Sequence, residues 1–350
     1  MAGSGAHARL PHLKREITIA GGGLAGLALA IALRQRDVPV TVLEAGSYPR
    51  HRVCGEFISG VTDETLANLG IAGAFRNALR HRNLSWHDQG KPFYQGELPE
   101  PALGISRLVL DDRLKGLFED LGGVLRTGTR VRPEPQEGFV WAAGRRATKG
   151  RWLGLKAHVR NVPMSADLEM HSGTNGYAGL AGIEDGWINV CGLFRIDRSI
   201  GAKGPDLLPA YLDVGANHVL ADLLRGAVWR EGSFSAVAGF ELGRQPVIPE
   251  LVCLGDAESM IPPFTGNGMS MAFQSAEIAI EPLLAWSENS IPWKTARERI
   301  ASGLRKRFSR RLATAGALHR VILHSSGRKL LRTLSTAHLL PFRPALSLVR

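Results

Sequence analysis

The feature that most constrains the fold is a glycine-rich segment near the start of the chain, residues 15–46, REITIAGGGLAGLALAIALRQRDVPVTVLEAG. A short β-type run leads into Gly21-x-Gly23-x-x-Gly26, an Ala- and Leu-rich helical pattern follows, and a second β-type run ends at Glu44. The first glycine permits a tight turn, the second lets a pyrophosphate touch the backbone, and the third lets helix and strand pack closely. Glu44 stands where a carboxylate accepts hydrogen bonds from a ribose with a free 2′-hydroxyl. The segment therefore predicts a βαβ unit that binds a dinucleotide.

A second glycine-rich stretch follows the short β-type run ELVCLG and occupies residues 255–284, GDAESMIPPFTGNGMSMAFQSAEIAIEPLL. Its two adjacent prolines forbid an immediate helix. Gly266 and Gly268 let the backbone turn tightly or approach a flat ring system closely. Helical spacing begins at Met269, so a bare loop and a helix N-terminus would form a second anion site. A nicotinamide dinucleotide rarely needs such a site this far downstream, whereas FAD does, because its ribityl chain and ring extend well beyond the first helix. The two stretches together predict FAD as the cofactor.

The composition is that of a globular protein, since 44% of the 350 residues are hydrophobic and 21% are charged. No apolar run reaches the roughly 20 residues needed to cross a bilayer, and the start, MAGSGAHARLPHLKRE, lacks the apolar stretch of a secretory signal. We therefore expect a flexible leader and a cytoplasmic location. Cys54, Cys191 and Cys253 are isolated thiols without a CxxC pair, and the last two are expected to be structural. The scattered histidines form no evident ligand pair, so no metal site is predicted.

The net charge of +11 is concentrated at the C-terminal end. From Arg299 onward there are twelve Lys and Arg residues and no Asp or Glu, so residues 1–298 sum to −1. This distribution argues against nucleic acid as a partner, because the body is neutral and aromatic residues for stacking are scarce in the tail. A local basic patch for a phosphorylated ligand, an acidic partner or anionic lipid stays open. Because Leu, Ile and Phe alternate with the cations, we expect helices that either cap the body or rest peripherally on a membrane.

Further segments extend the two glycine-rich sites into a resemblance that covers most of the chain. These segments are ISRLVLDDRLKGLFEDLGG (105–123), GTRVRP (128–133), HRVCGEFISG (51–60) and GYAGLAGIEDGWINVCGLF (176–194). Together with the glycine-rich stretches, they are similar to the flavoprotein superfamily of hydroxybenzoate hydroxylase and geranylgeranyl reductase. The resemblance implies FAD and an α/β fold: a discontinuous Rossmann-type FAD-binding domain with a parallel sheet, an antiparallel β-sheet substrate domain and C-terminal helices.

The same resemblance assigns residues to the FAD site. Arg107 would contact the flavin nucleotide, the backbone of a short strand near Val131 would meet the adenine, and Asp256 would hold the ribityl hydroxyls. The helix after the second glycine-rich loop would support negative charge on the reduced flavin. The implied cofactor-binding residues are Gly21, Gly23, Leu24, Ala25, Gly26, Glu44, Ala45, Arg107, Val131, Gly255, Asp256, Gly266, Asn267, Gly268 and Met269. The chain departs from its relatives at Ala143, where they carry the Asp of an Ala-Asp-Gly element that helps to bind FAD and NAD(P)H.

Three residues are candidates for catalysis, and each has a structural alternative. Cys54 would line the flavin ring, or would pack as a small buried residue. Glu56 would take part in proton transfer, or would orient the Cys-Gly-Glu loop through hydrogen bonds. Tyr177 would place its hydroxyl over the cavity, or would belong to the core of the sheet. The tail histidines His319 and His324 are expected on a solvated helix face rather than as ligands.

The Cys-Gly-Glu segment is similar to the reductase branch of the superfamily, which implies hydride transfer from reduced flavin to a carbon–carbon double bond. The expected substrate is an apolar, isoprenoid-type or aromatic small molecule. A flavin-dependent monooxygenase is the alternative, with a hydroxylase favoured over a halogenase because the chain has no Trp-x-Trp segment. A non-catalytic flavin-binding protein is a further alternative. The electron donor stays open between NAD(P)H, a ferredoxin and a reduced free flavin, since no second GxGxxG marks a nicotinamide domain.

The chain is predicted to divide into three parts. The FAD-binding domain comprises residues 14–74, 105–157 and 246–290, the substrate domain comprises residues 75–104 and 158–245, and the basic helical segment comprises residues 291–350. The substrate domain is predicted from short alternating runs such as LEMHSG, YAGLAGI and WINVCGLF. Breaks in the helical segment are expected at Gly327, Pro341 and Pro344.

Overall fold

The structure is a computed structural model that describes residues 14–145, 148–246 and 248–349. The flexible leader expected at the start of the chain falls mostly on residues 1–13, which lie outside this range. Among the described residues, no helix combines the length and the apolar character needed to cross a membrane.

The described residues form strands and helices throughout the chain. The strands are β1 (Ile17–Ala20), β2 (Val40–Leu43), β3 (Phe57–Ile58), β4 (Leu79–Asp88), β5 (Lys91–Gly104), β6 (Val124–Arg126), β7 (Phe139–Trp141), β8 (Trp152–Arg160), β9 (Leu168–Ser172), β10 (Gly176–Gly182), β11 (Ile188–Arg195), β12 (Val228–Trp229), β13 (Ser235–Phe240), β14 (Gly243–Arg244), β15 (Val252–Cys253) and β16 (Ser259–Met260). The helices are α1 (Leu24–Arg34), α2 (Asp63–Asn68), α3 (Arg107–Asp120), α4 (Leu207–Val214), α5 (His218–Arg225), α6 (Gly268–Ser287), α7 (Trp293–Leu323), α8 (Ser325–Thr336) and α9 (Phe342–Ser347).

The first sheet is parallel and has the strand order β15-β7-β1-β2-β6. Helix α1 connects β1 to β2, and its residues 24–33 are all buried. Because this helix is apolar on every side, it must be enclosed by other elements, and it packs against α3 and α6. The predicted βαβ unit is therefore confirmed, with its glycines at the junction of β1 and α1.

The second sheet has nine strands and is largely antiparallel, in the order β12-β8-β11-β10-β9-β4-β5-β3 with β13 also paired to β8. The strands predicted from LEMHSG, YAGLAGI and WINVCGLF are β9, β10 and β11, and each pairs with the next. Strand β8 crosses the predicted boundary between residues 157 and 158 and lies wholly in this sheet. The fold class, a parallel sheet with a second sheet and C-terminal helices, is as predicted.

One predicted strand is absent at its expected place. The segment GTRVRP (128–133) is irregular, and the strand β6 lies just before it. The chain turns at Gly128, whose φ of +66° is a left-handed conformation that ends the strand. The backbone near Val131 nevertheless reaches the cavity described below.

The C-terminal segment is helical; the predicted break at Pro341 is observed between α8 and α9, whereas the other break, between α7 and α8, lies before the predicted Gly327. Helix α7 runs without interruption to Leu323, and the extended backbone of His324 separates it from α8. Gly327 lies inside α8, since a single helical glycine costs only about 1 kcal/mol. Pro344 lies in the first turn of α9, where its missing N–H is not needed. Every third or fourth residue of α7 is buried against the body, for example Ile300 and Leu304.

Candidate functional site

A cavity of about 1010 Å³ lies between the carboxyl ends of the parallel strands and the nine-stranded sheet. In an open α/β sheet this is where ligands bind. Most of the residues predicted to bind the cofactor line it: Gly21, Gly23, Leu24, Ala25, Glu44, Ala45, Arg107, Val131, Gly255, Asp256, Gly266, Gly268 and Met269. Gly26 and Asn267 do not line it. Two glycine-rich stretches that are distant in sequence thus meet in one cavity.

The N-terminus of α1 faces one end of the cavity. Gly23 caps this helix, and no side chain hydrogen-bonds to the free backbone N–H groups there. A Cβ atom added to Gly23 would find open space, with Arg107 Nη2 4.0 Å away as its nearest neighbour. A Cβ atom on Gly26 would instead approach the carbonyl oxygen of Gly21 to 1.9 Å. Gly23 therefore leaves room for a ligand, whereas Gly26 lets the helix pack on the strand, as their spacing predicts.

Glu44 lies beside this helix terminus and is held rigidly. Its carboxylate accepts hydrogen bonds of 2.8 Å from the backbone N–H groups of Gly22 and Gly46 and forms a 2.8 Å ion pair with Arg50. Burial acts to raise its pKa, but the Gly46 hydrogen bond and the nearby Arg52 and Arg50 outweigh burial, so the pKa lies below the ordinary value. The group is therefore a carboxylate that can accept from a ribose hydroxyl at the cavity wall.

Arginines give the cavity a positive character. Arg107, at the start of α3, forms a bidentate pair with the buried Asp111, with distances of 2.7 and 2.8 Å. Arg52 contacts the same carboxylate at 2.8 Å. Arg50 and Arg145 also line the cavity. Of these arginines, Arg107 was predicted from the sequence. The others are suited to bind the phosphates of a dinucleotide. Two of them could have been predicted as well, because the run RHRVCGE places two arginines beside the predicted Cys-Gly-Glu loop.

The second glycine-rich stretch closes the other end of the cavity. Gly266 has a φ of +67°, and a Cβ atom there would lie 2.2 Å from the Phe57 ring. Helix α6 begins directly after this turn and has no side-chain cap. Burial raises the pKa of Asp256, although the charge of Arg145 opposes that shift. Asn267, predicted to bind the cofactor, is fully buried and donates 2.7 Å to the Val349 carbonyl, so it fixes the loop instead of lining the cavity.

The candidate thiol lies on the loop before β3, beside the wall formed by the nine-stranded sheet. Cys54 lines the cavity together with His51, and the Asn189 side chain donates 3.0 Å to the Cys54 carbonyl. Cys191 also lines the cavity, although the sequence indicated a purely structural residue. Burial raises the pKa of both Cys54 and Cys191, so these thiols are protonated and are not nucleophilic thiolates.

Glu56 lies behind this wall in a buried charged cluster. The side chains of Glu56, Lys156 and His158 are all 0% exposed. Glu56 accepts 2.5 Å from His158 Nε2 and 3.0 Å from the Arg107 backbone N–H, and Lys156 Nζ lies 3.4 Å away. Burial acts to raise the pKa of Glu56, but the hydrogen bond from His158 and the charge of Lys156 hold it below its ordinary value. Glu56 thus orients the Cys-Gly-Glu loop and does not reach the cavity itself.

Tyr177 belongs to the core of the sheet, which was the structural alternative for it, whereas His319 occupies a position that the sequence did not predict. Tyr177 is 2% exposed and is absent from the cavity lining; its ring packs edge-on against Phe264 and His319. The expected hydroxyl over the cavity is therefore not observed. His319 is 6% exposed and contacts Trp152 and Phe264, because α7 turns this residue toward the sheet. The expectation of a solvated helix face is wrong for His319; His324 is exposed as expected, but it lies between α7 and α8 and not on a helix face.

A set of possible metal ligands also comes together, where no ligand pair was expected. His87, Glu169 and His171 have donor atoms within 4.8 Å of one another on β4 and β9. Two of the ring nitrogens are already paired, His87 Nε2 with Ser85 at 2.9 Å and His171 Nε2 with Glu169 at 2.9 Å, whereas the buried Nδ1 of His171 has no hydrogen-bond partner among the described residues. The two imidazole rings are stacked at 15°, so their in-plane lone pairs do not converge on a common point. We assign this cluster to packing within the sheet.

The residues of the cavity fit a flavin dinucleotide. Gly23 and the uncapped N-terminus of α1 lie at one end, and the Glu44 carboxylate, which can accept from a ribose, lies beside them. The uncapped N-terminus of α6 lies at the other end. Helix N-termini of this kind stabilise negative charge. The excess of arginines provides the countercharge for two phosphates.

Comparisons with known proteins agree with this geometry. Residues 19–78 match the NAD(P)-binding Rossmann-like domain family. A menaquinone reductase of Mycolicibacterium smegmatis is 24% identical over 88% of this chain and 86% of its own length. A menaquinone reductase of Mycobacterium tuberculosis is 23% identical over 77% of this chain and 76% of its own length.

Solved structures share the whole fold. The p-nitrophenol 4-monooxygenase PnpA of Pseudomonas putida superposes with a TM-score of 0.74 at 15% identity, covering 96% of both chains. The flavin-dependent brominase Bmp2 gives 0.73 at 18% identity, covering 96% of this chain and 93% of its own. A geranylgeranyl bacteriochlorophyll reductase-like protein of Thermoplasma acidophilum gives 0.72 at 16% identity, covering 95% and 94%. The predicted resemblance is confirmed, and the chain shares the fold of these solved structures.

Proposed function

We propose that the protein is an FAD-dependent oxidoreductase that reduces a carbon–carbon double bond in an apolar, isoprenoid-type substrate, such as the tail of a prenylated quinone. The observation that carries this proposal is the continuous cavity that joins two uncapped helix N-termini and ends at the Cys54 wall of the second sheet. The similarity to menaquinone reductases over most of the chain supports a lipophilic quinone as the substrate class.

The chain's own residues would hold the cofactor in defined ways. The N–H groups at the start of α1 and the arginines Arg107 and Arg52 would bind the pyrophosphate, and Glu44 would accept from the ribose. Asp256 would face the ribityl chain, and the start of α6 would stabilise negative charge near the ring. When bound, the flavin would supply two-electron chemistry, so the protein need only position and shield the substrate.

The substrate side of the cavity is suited to an apolar molecule. Small or apolar groups of the second sheet line it, among them Gly192, Leu193 and Val237, with Phe240 beside them. A chain of CH₂ and methyl groups gains about 25 cal/mol for each Å² that it buries against such a surface. The neutral thiols of Cys54 and Cys191 add polarisable surface without charge.

One mass-spectrometric experiment tests the reaction. The purified protein, loaded with FAD and reduced by light under anaerobic conditions, is mixed with a naphthoquinone that carries a short prenyl tail, and the extracted product is then exposed to air. Reduction of the tail adds two hydrogen atoms that persist in air, and this is the expected result. Reduction of the quinone ring adds two hydrogen atoms that air removes, which would overturn the double-bond assignment.

The same sample, with oxygen admitted before extraction, tests the rival reaction. Incorporation of one oxygen atom into the substrate would identify a monooxygenase, which is the activity in the name of the structural neighbour PnpA. A protein that binds FAD but cannot be photoreduced would support the non-catalytic alternative. Replacing light by NAD(P)H, a ferredoxin or a reduced free flavin in parallel samples identifies the electron donor.

We further propose that the basic C-terminal segment rests on anionic lipid, from which a lipophilic substrate would enter. Lys329, Arg332 and Arg343 are exposed beside the exposed side chains of Leu330 and Leu339. An ion pair of 2.8 Å between buried Arg328 and Asp88 anchors α8 to the second sheet. Cations beside protruding leucines are the combination that binds the surface of an anionic membrane.

A further inference from the structure

We propose that Lys156 and His51 form a proton relay that delivers the proton of the reduction from behind the sheet to the substrate. This inference rests on the proposed function, because it concerns the proton that must accompany the hydride. In this relay, the Lys156 ammonium holds the proton before the reaction, and His51 is the residue that contacts the substrate.

The relay is defined by two contacts that link the buried cluster to the cavity. Lys156 Nζ lies 3.0 Å from His51 Nδ1 and 3.4 Å from Glu56 Oε1. Lys156 is 0% exposed, whereas His51 is half-buried and lines the cavity with Cys54. A proton from the buried ammonium therefore reaches the cavity through the His51 ring.

The chemistry of the two groups fixes which nitrogen of His51 carries the proton. An ammonium group has only donors, so His51 Nδ1 accepts from Lys156. Burial, together with the charge of Lys156, lowers the pKa of His51 to about 4, so its ring is neutral near pH 7. In a neutral ring with Nδ1 accepting, Nε2 carries the hydrogen and is the nitrogen that can donate it.

The surroundings of Lys156 favour release of its proton. On the neighbouring strands it stands opposite Cys191 of β11 and Ser235 of β13. Burial lowers its pKa, although Glu56 and the thiols of Cys191 and Cys54 oppose that shift.

The remaining charged and titratable groups near the relay are Arg230, which acts on His51, Arg107, which acts on Cys54, and His158, which stacks edge-on against His51. When Lys156 becomes neutral, Glu56 keeps its hydrogen bonds from His158 and from the Arg107 backbone N–H. The carboxylate therefore stays paired after the proton leaves, which limits the cost of the transfer.

The transfer balances in atoms and charge. When bound, the reduced flavin of the proposed function would supply the hydride for one new C–H bond. The electron pair of the double bond takes the proton from His51 Nε2 and forms the other. As Nε2 loses its proton, the Lys156 proton moves to Nδ1, so the lysine becomes a neutral amine and the ring stays neutral. After the product leaves, Nε2 takes a proton from water and Nδ1 returns its own to the lysine.

The first test compares Lys156→Met with Lys203→Met, an exposed lysine that serves as a matched control. Photoreduced enzyme is mixed with the short prenylated naphthoquinone in a stopped-flow instrument, and flavin reoxidation is followed in one turnover. A positioned general acid contributes roughly 10²–10⁴-fold, so we expect Lys156→Met to be slowed at least roughly 10²-fold and Lys203→Met to match the wild type. If Lys156→Met fails to fold, Lys156→Arg replaces it, because a guanidinium keeps the charge but does not release its proton. Equal rates for the variant and the control would overturn the relay.

The second test needs no substrate and therefore separates this inference from the proposed function. The titration of His51 is followed by NMR in protein with labelled histidine, and its signal is identified by its loss in His51→Gln. In the wild type we expect a midpoint of about 4. In Lys156→Met the midpoint should rise, because the ammonium charge no longer opposes protonation, whereas in Lys203→Met it should not move. An unchanged midpoint in Lys156→Met would overturn the pair. Failure of the wild type to reduce the prenyl tail would overturn the proposed function, and the titration would still decide the pair.

Discussion

The two walls of the cavity recognise ligands in different ways. The wall at the parallel sheet presents backbone N–H groups at Gly23 and the start of α1, with Glu44 and several arginines beside them. The wall at the nine-stranded sheet is backed by buried titratable side chains that pair with one another, namely Glu56, Lys156 and His158. The first wall is suited to hold a cofactor of constant structure. The second is suited to move charge during a reaction.

This difference determines what a sequence reveals. Backbone recognition needs glycine at fixed local spacing, so it leaves a pattern within about thirty residues. The charged cluster joins residues of the Cys-Gly-Glu loop to residues of β8, and Glu56 and His158 are 102 residues apart. No local pattern marks such a pair, because each partner alone looks like an ordinary polar residue of its strand or loop.

The largest effect on stability is expected when Glu56, the countercharge of Lys156 in the buried cluster, is neutralised. Glu56→Gln keeps the shape of the side chain but leaves the buried ammonium of Lys156 without its countercharge. Removing one partner of a buried ion pair costs roughly 3–5 kcal/mol, so the free energy of unfolding should fall by about that amount in denaturant titrations. The double variant Glu56→Gln/Lys156→Met should recover part of the loss, and Glu231→Gln, at an exposed site, should have little effect. A double variant no more stable than Glu56→Gln would show that charge pairing is not the cause.

The next prediction distinguishes two glycines at the parallel sheet: Gly26, which is needed for packing, and Gly23, which is needed for binding. Gly26→Val places a side chain against the Gly21 carbonyl and should destabilise the fold by about 3 kcal/mol, the upper end for overpacking. Gly23→Val enters open space in the cavity, so it should leave the melting temperature nearly unchanged and abolish flavin occupancy. Absorbance of bound flavin and thermal unfolding, measured on the same samples, check both. Full flavin occupancy in Gly23→Val would place the cofactor elsewhere.

The next prediction concerns the pH dependence of stability that arises from buried His319, which packs toward the second sheet. Burial lowers the pKa of His319 to about 4, below its ordinary 6.5, so the unfolded chain binds the proton more tightly than the folded one. The stability is therefore complete above pH 6.5 and falls as the pH drops toward 4. His319→Phe, whose ring should stack on Phe264 in the same way, should remove on the order of 2–3 kcal/mol of this acid sensitivity. The exposed His338→Phe should not, and identical stability curves for both variants would contradict the burial argument.

Elements with a local sequence pattern were predicted, whereas contacts between distant elements were not. The βαβ unit, the strands β9 to β11 and the helix α6 were predicted because each has a local period or a glycine pattern. The environment of His319 was not, since a helical pattern shows which residues share a face but not which element that face meets. For Tyr177 the catalytic role and the core position both stayed open for the same reason: alternation in β10 does not tell which face of the sheet meets the cavity, and the structure shows the core position.

The smallest effect concerns the surface outside both walls, the basic C-terminal segment. In sedimentation with anionic liposomes at low salt, we expect the full-length protein to bind and high salt to release it, because exposed cations near such a surface contribute roughly 1 kcal/mol each. Lys329→Gln/Arg343→Gln should therefore weaken binding by about 2 kcal/mol, or roughly 30-fold. Arg198→Gln/Lys203→Gln, which removes two exposed cations from the loop after β11, should change it little. Protein that stays in the supernatant at low salt, or equal binding by the two double variants, would leave α8 and α9 as a structural cap anchored by Arg328 and Asp88.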